Sequence, residues 1–296
     1  MNGSERPIAK AYAPDPARVY DYLFDQKNCY TADRKFGERL LQACPTLQAS
    51  LWQAHQWVQQ SAAMLAADGF TQFVDLGTGI PRVPYLHDTI RAVAPTARVV
   101  YVDWDPVVRA HAAALMVRSS GVEFAQVDIT DAEDLRHPDK LPQFLDLSIP
   151  AVVILESTLE FLSGAKDVVA QLSELFAPGS LLVISHMGSN DVSSRIDQIQ
   201  KVFDEAGIGF FPRSRDELVT ILGGPYFTAA DVAPTSAAPV VEPTAKEKPI
   251  GASAAQQVAF FGVVARITGA RGSEAVSLLH DVVVEAEMAA HQGSWI

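Results

Sequence analysis

The sequence predicts an α/β fold in which a mostly parallel sheet is covered by helices on both faces. Short apolar runs alternate with amphipathic stretches between residues 72 and 206. The run 151–155 is apolar throughout, as is typical of a strand buried on both faces. A tight glycine turn, Gly77-Thr78-Gly79, directly follows the first apolar run, and Asp103 ends the second. Together these patterns indicate a nucleoside-binding α/β protein.

The N-terminal residues 1–68 predict an arm followed by a helical cap. Residues 1–16 contain three prolines and little hydrophobic periodicity, so we expect an extended arm. Apolar residues at three- and four-residue spacing over 16–43 predict helices, which the polar stretch 25–30 interrupts. A long amphipathic helix is predicted over 47–68.

The central residues 69–271 predict the sheet and its crossing helices. A further helix is expected at about 213–222, after Pro212. Strands are predicted near 72–76, 99–103, 122–128, 150–156 and 180–186, and helices near 83–93, 106–118, 165–176 and 192–206.

The C-terminal part predicts a connection, a strand and a helix. Residues 233–255 are rich in Ala, Pro and Thr and predict a mobile connection within the central unit. Residues 258–267 predict a last strand, and the end of the chain, 272–296, carries an apolar stripe that predicts a helix. That stripe packs either on its own sheet or on a second subunit, so a homodimer is one of two expected arrangements.

Composition excludes several classes of partner and site. The net charge of −12 disfavours nucleic acid. No apolar stretch is long enough to span a bilayer, and residues 1–10 lack the apolar core of a signal peptide. The two cysteines provide no disulfide framework, and the histidines show no metal-binding spacing. We therefore expect a cytoplasmic protein without a metal site.

The glycine turn predicts which nucleoside is bound. Dinucleotide folds place a third glycine where this chain has Arg82, and no phosphate-binding loop is present. A nucleoside without phosphate fits better, and S-adenosylmethionine (SAM) is the common one. Asp75, Gly77 and Gly79 are expected to border its methionine part, and Asp103 to bind the ribose hydroxyls. The alternative is that these glycines form a turn of an α/β protein that does not bind a nucleoside.

Asp128 and Ile129 follow the third predicted strand and are candidates for the adenine site. A carboxylate there can accept a hydrogen bond from the adenine amino group, while the isoleucine packs on the ring. A simple turn acid is an equally good interpretation of Asp128, because such acids are common in turns.

Three titratable residues near the ends of the fourth and fifth strands are candidates for catalysis or substrate binding. Glu156 ends a long apolar strand and needs a partner such as the cofactor ammonium or a substrate group. His186, predicted to follow the fifth strand, is the best-placed general base, although a histidine bonded into the loop is as good an interpretation. Glu160 faces either the substrate or solvent at a helix start, and the second reading is favoured.

The N-terminal region is dense in aromatic and polar side chains, which predicts a lid over the cofactor. Aromatic faces can steady a sulfonium cation. A helix pair with incidental aromatics is the alternative. The candidate lid or substrate residues are Tyr20, Tyr22, Lys27, Asn28, Tyr30 and Arg34.

Several of these motifs resemble a bacterial SAM-dependent methyltransferase family long described as of unknown function. The resemblance implies a class I, Rossmann-like fold with seven strands, the last one antiparallel between the fifth and sixth, bound SAM and an N-terminal helical cap. The matching motifs are 16–23 (PARVYDYL), 32–34 (ADR), 73–81 (FVDLGTGIP), 99–103 (VVYVD), 105–108 (DPVV), 185–186 (SH), 213–215 (RSR) and 261–266 (FGVVAR).

The end of the fourth strand, 156–162 (ESTLEFL), departs from the family pattern and is similar to methyltransferases of the leucine carboxyl type. The expected activity is methyl transfer to a hydroxyl, amine or carboxylate of a small molecule, such as a specialised metabolite. Two alternatives stay open. One is an enzyme of the same fold that cyclises the aminobutyryl arm of SAM and releases methylthioadenosine, and the other is a SAM-binding protein without catalysis.

Overall fold

The computed structural model describes residues 13–115, 120–188, 194–223, 227–234 and 259–268. Most of the predicted arm, residues 235–255 of the predicted connection and the predicted C-terminal helix lie outside these ranges. The division into segments 1–68, 69–271 and 272–296 stays a prediction. No described helix combines the length and the apolar character that crossing a membrane requires.

The predicted α/β sheet is confirmed, and its described residues form seven strands in the order β3-β2-β1-β4-β5-β7-β6. The first five strands pair in parallel, whereas β7 runs antiparallel between β5 and β6. This is the insertion that the family resemblance implied. The strands are β1 (Gln72–Leu76), β2 (Arg98–Asp103), β3 (Val122–Gln126), β4 (Val152–Glu156), β5 (Leu181–Gly188), β6 (Phe227–Pro234) and β7 (Ala259–Ile267).

The helices occupy the N-terminal segment and the connections between strands. Two short 3₁₀ turns, Leu141–Gln143 and Leu159–Phe161, flank β4. The helices are α1 (Pro16–Leu23), α2 (Thr31–Ala43), α3 (Leu47–Ala67), α4 (Leu86–Val93), α5 (Pro106–Leu115), α6 (Ala132–Arg136), α7 (Ala165–Leu175), α8 (Ser194–Glu205) and α9 (Arg215–Leu222).

Three predicted boundaries were wrong in ways that matter for the site. β3 ends at Gln126, because the Asp128 carboxylate accepts hydrogen bonds from the backbone and hydroxyl of Thr130 and turns the chain. β5 continues to Gly188 because antiparallel pairing with β7 extends it, so His186 lies within the strand. The end of β6 occupies positions 233 and 234, which we had assigned to the mobile connection.

Side chains of β4 alternate between the two layers of the fold. Ile154 packs in an apolar cluster with residues of α3 and α4, whereas Leu155 packs in a cluster with residues of α7 and α9. Glu156 has the same parity as Ile154 and meets α3. The alternation therefore directs this carboxylate towards the helices of the N-terminal half.

A buried ion pair fixes α1 against α2. Arg18 Nε donates to Asp33 Oδ2 at 2.9 Å, and the backbone N–H groups of Asp15 and Tyr30 also donate to the Asp33 carboxylate. Asp15 in turn caps α1 by accepting from the backbone of its first turn. Arg18 and Asp33 are both almost completely buried. The predicted helical cap is thus held by polar contacts as well as by apolar packing with α8.

Candidate functional site

Two buried acids and one half-buried acid meet at the carboxyl edge of the sheet. β1 lies between β2 and β4, and these strands bring Asp75, Asp103 and Glu156 to neighbouring positions. In open α/β sheets, ligands bind outside the carboxyl ends of the strands. The predicted cofactor acids therefore share one edge.

The glycine turn after β1 is fastened to β2. Gly77 and Gly79 have φ values of 72° and 64°, in the left-handed region that favours glycine. The N–H groups of Gly77 and Thr78 donate to the Val102 carbonyl. Gly79 N donates to Asp103 Oδ2 at 2.9 Å, so the turn and the predicted ribose acid are in direct contact.

Asp103 keeps capacity for a ligand. Its other oxygen, Oδ1, accepts from Asp105 N at 2.9 Å. Burial raises the pKa of Asp103 to about 6, and the two backbone N–H groups oppose that rise. A carboxylate offers about four lone-pair sites, of which these bonds use two. The two ribose hydroxyls can donate to those that are left.

Asp75 is a buried acid with an unpartnered oxygen. Its Oδ1 accepts no hydrogen bond from the described residues. Burial and the neighbouring Glu156 charge raise the pKa of Asp75 to about 7. A buried carboxylate oxygen without a donor is costly for a protein. It fits a ligand that brings a donor, such as an ammonium group.

Glu156 is held by two basic side chains that the sequence analysis did not assign. Arg82 Nη2 lies 2.5 Å and His55 Nδ1 lies 3.0 Å from Glu156 Oε1. Burial alone raises the pKa of Glu156, but Arg82 and His55 outweigh it and lower the value to about 2. The Arg82 guanidinium also lies over the Phe24 ring, 4.2 Å from its centroid. Glu156 is therefore ionised and bound near neutral pH.

These groups line a cavity of about 30 Å³ beside the glycine turn. Both signs of charge face it, because Asp75 and Glu156 lie close to Arg82. The lining residues are His55, Gln59, Asp75, Thr78, Ile80, Pro81, Arg82, Pro84, Tyr85, Leu86, Tyr101 and Glu156. The lining therefore offers both acidic and basic side chains to a ligand.

Comparisons with known proteins agree with this geometry. The model of a family described as S-adenosyl methyltransferase matches residues 3–268. The chain belongs to this family. It is a SAM-dependent methyltransferase, and SAM is its cofactor.

Two solved structures resemble the methyltransferase over most of its length. One is a protein from Thermobifida fusca assigned as a methyltransferase, with a TM-score of 0.76, 29% identity, and 87% of this chain and 96% of that chain covered. The other is a DUF574 family protein from Streptomyces avermitilis, with a TM-score of 0.76, 26% identity and coverage of 86% and 98%. No curated protein matches the chain significantly.

A second polar cluster of the methyltransferase lies next to this edge. Glu160, in the 3₁₀ turn after β4, and His186, in β5, are both 0% exposed. His186 Nδ1 lies 3.2 Å from Glu160 Oε2. Tyr20 of α1 lies beside them, and burial and the Glu160 charge raise the pKa of its phenol well above the usual range. The structure thus brings together three residues that were predicted separately.

The predicted adenine residues follow β3, next to the strand that ends in Asp103, and Val127 N donates to the Asp103 carbonyl. Asp128 is half-buried and shapes a turn through Thr130, which is the alternative interpretation that the sequence left open. Ile129 is buried in the apolar cluster on the α7 face of the sheet. Their contact with adenine stays a prediction.

The other predicted lid residues have varied surroundings. The Tyr22 ring lies close to the Cα of Gly37 in α2, and Asn28 donates from its backbone and side chain to Asp21. Lys27 and Arg34 are exposed, and so is Tyr30, which lies under the Arg18 guanidinium. Their contact with substrate stays a prediction.

Sequence reasoning missed the two basic partners of Glu156. Arg82 had been noted only as the residue that replaces the third glycine. His55 and Gln59 follow each other by one helical turn in α3, and their side chains lie 3.4 Å apart. Such a pair of polar residues on a largely apolar helix face was the sequence signal that could have identified His55.

Among the described residues, no three His, Cys, Asp or Glu side chains form a group suited to a metal ion.

Proposed function

We propose that the methyltransferase acts on a hydroxyl, amine or carboxylate of a small molecule in the cytosol. One observation carries this proposal: α1 lies directly over the cofactor edge. A Cβ at Gly79 would lie 3.8 Å from the Ala17 Cβ, and Phe24, two turns further along, covers Arg82. A covered acceptor space suits a small molecule better than a polymer.

Charge and cysteine usage support the same proposal. The net charge of −12 repels a nucleic-acid acceptor. Cys29 and Cys44 are both free and buried, which suits a reducing compartment.

The residues at the sheet edge fit SAM, part by part. We assign the ribose hydroxyls to Asp103, the methionine part to the turn of Gly77 and Gly79, and the ammonium to the unpartnered oxygen of Asp75. Arg82, which carries the positive charge next to that oxygen, is assigned to the SAM carboxylate. Asp128 and Ile129 are retained for adenine.

Glu156 is assigned a binding role instead of proton transfer. An ionised carboxylate with a pKa of about 2 is a weak base near neutral pH. Through its contacts with Arg82 and His55 it orients the guanidinium that we assign to the cofactor carboxylate. The sequence-based choice of His186 as the base is retained.

SAM supplies an activated methyl group on a sulfonium ion. The protein has to align the acceptor with that methyl group and exclude water. α1 performs the second task by covering the edge. The base is needed for a hydroxyl or amine but not for a carboxylate, which is already ionised.

Methyl-labelled SAM provides the test. The purified enzyme is incubated with the small-molecule and the macromolecular fractions of a cell extract, and Asp103→Ala serves as the control with a damaged cofactor site. We expect label in a small product, S-adenosylhomocysteine as the co-product, and neither with the control. Label in protein or nucleic acid contradicts the proposed acceptor class, and methylthioadenosine as the co-product indicates cyclisation instead.

A further inference from the structure

Five polar atoms are buried together under the cap without forming a hydrogen bond of good geometry with the described residues, although Glu160 lies close enough to raise the pKa of the Tyr20 phenol as a hydrogen-bond partner. They are Tyr20 Oη, both carboxylate oxygens of Glu160 and both ring nitrogens of His186. The 3.2 Å approach of Glu160 to His186 is an ion-pair contact without hydrogen-bond geometry. Native proteins leave few buried polar atoms unpaired, and five in one place is exceptional. The cluster therefore calls for a role beyond packing.

Tyr20 belongs to the helix that links this cluster with the cofactor edge. Ala17, Tyr20 and Phe24 lie at successive turns on one face of α1, and the outer two contact the glycine turn and Arg82. The charges of Arg82 and Glu156 both act on the Tyr20 phenol. Tyr20 is therefore the member of the cluster that belongs to the covering helix, although its Oη is as completely buried as the polar atoms of Glu160 and His186.

The charged groups on the far side of the cluster are engaged with the protein. Arg213 lies close enough for the Glu160 charge to act on it, but its guanidinium donates to the carbonyls of Leu159 and Leu162. Glu217, near His186, accepts from Ser214 in the capping box of α9. These contacts leave the Glu160–His186 pair facing Tyr20.

We propose that Tyr20 accepts the proton that a hydroxyl or amine acceptor loses, while its own phenolic proton moves to the Glu160–His186 pair. This inference rests on the proposed function, and it makes His186 a base that acts through Tyr20 and Glu160. The acceptor lone pair forms the bond to the methyl carbon, and the electrons of the broken carbon–sulfur bond stay on sulfur. The acceptor proton replaces the phenolic proton on Tyr20, and Glu160 or His186 gains one proton.

Tyr20 is in this scheme a catalytic residue, and Glu160 and His186 are positioning residues that receive the proton. Because the proton passes through the Tyr20 phenol, the base stays out of solvent while the acceptor remains in the covered space. The cap then has two tasks, since it excludes water and supplies the first group of the proton path.

The first test needs no acceptor. The ring ¹⁵N resonances of His186 are compared at one pH in the wild type, Tyr20→Phe and Tyr22→Phe, all with SAM bound. The control Tyr22 lies on the same helix, with its ring close to the Cα of Gly37. We expect Tyr20→Phe to shift the His186 resonances and Tyr22→Phe to leave them unchanged. Unchanged resonances in Tyr20→Phe overturn the proposal whatever the acceptor is.

The second test uses the labelled-SAM assay with the small-molecule fraction. We expect Tyr20→Phe to lower kcat by about 10²–10⁴-fold, the usual contribution of a positioned acid or base, with an unchanged KM for SAM. The rate of the variant should rise with pH as the acceptor loses its proton to solvent. Turnover equal to that of the wild type, or a loss that no pH restores, overturns the proposal. An active wild type without small-molecule product refutes the proposed acceptor class alone.

Discussion

Asp33 within the cap and Glu160 beneath it are both completely buried carboxylates, yet their surroundings are opposite. Asp33 accepts from the Arg18 guanidinium and from two backbone N–H groups. Glu160 has one ion-pair contact with His186, and neither of its oxygens accepts a hydrogen bond from the described residues. The Asp33 carboxylate is therefore well supplied with hydrogen-bond donors, and the Glu160 carboxylate is not.

The difference separates residues that hold the fold from residues that we assign to the reaction. A buried charge is tolerated when its partners replace water, as they do around Asp33. Around Glu160 they do not, so this residue costs stability that only a function explains. Asp75, with its unpartnered oxygen, resembles Glu160 in this respect.

The largest effect on the free energy of unfolding is expected from breaking the Arg18–Asp33 ion pair. Arg18→Ala leaves Asp33 charged and buried, and breaking a buried pair costs about 3–5 kcal/mol. Urea unfolding measures the loss. Arg34→Ala, on the exposed side of α2, is the control and should change the free energy of unfolding by less than about 0.5 kcal/mol. A loss for Arg18→Ala as small as that of the control contradicts the structural role.

The second effect depends on pH. Because the pKa of Asp75 is raised to about 7 from the ordinary value of 3.8, the folded state binds more protons than the unfolded state between these two pH values, and stability falls as pH rises from one to the other. Asp75→Asn removes this dependence. Its free energy of unfolding relative to the wild type should therefore rise by roughly 2–4 kcal/mol between about pH 4 and about pH 8.

Urea unfolding of the SAM-free protein at both pH values checks this prediction. Asp68→Asn, an exposed acid after α3, is the control and should differ little from the wild type at either pH. An Asp75→Asn difference that stays constant with pH refutes the assignment of a raised pKa.

The third effect concerns binding instead of stability. Asp103→Ala removes the acid that we assign to the ribose, and a charge-assisted hydrogen bond is worth about 1.5–3 kcal/mol, or roughly 10–150-fold in the Kd for SAM. Calorimetric titration with SAM measures it. Arg18→Ala should bind SAM normally once folded, and equal affinities of Asp103→Ala and wild type exclude the ribose assignment.

The sequence predicted the strands and the glycine turn of this edge well because their signals are local. The glycine turn depends only on two consecutive elements, and each apolar strand is recognisable from its own residues. β6 was missed because the stretch from Phe227 to Pro234 has no clear alternation and adjoins a proline-rich region. The Arg82–Glu156 contact joins residues 74 positions apart, and only the packing of β1 beside β4 brings them together.

His186 shows another limit of prediction from the sequence. Its residue type and approximate position were predicted, but its complete burial was not. Pairing with Phe261 on an inserted strand places it inside the sheet, and the sequence near His186 holds no sign of that strand. The partner Glu160 had been read as a solvated helix-start acid, and the structure places it at 0% exposure instead.

The most direct test compares Asp33→Asn with Glu160→Gln in the same urea-unfolding experiment. Both substitutions remove one buried charge and keep the shape of the side chain. We predict a loss of about 3–5 kcal/mol for Asp33→Asn, because Arg18 is left without its partner. For Glu160→Gln we predict a loss below about 1 kcal/mol or a gain, since neither carboxylate oxygen accepts a hydrogen bond of good geometry that the substitution would remove. Equal losses, or a larger loss for Glu160→Gln, would contradict the division between the two carboxylates.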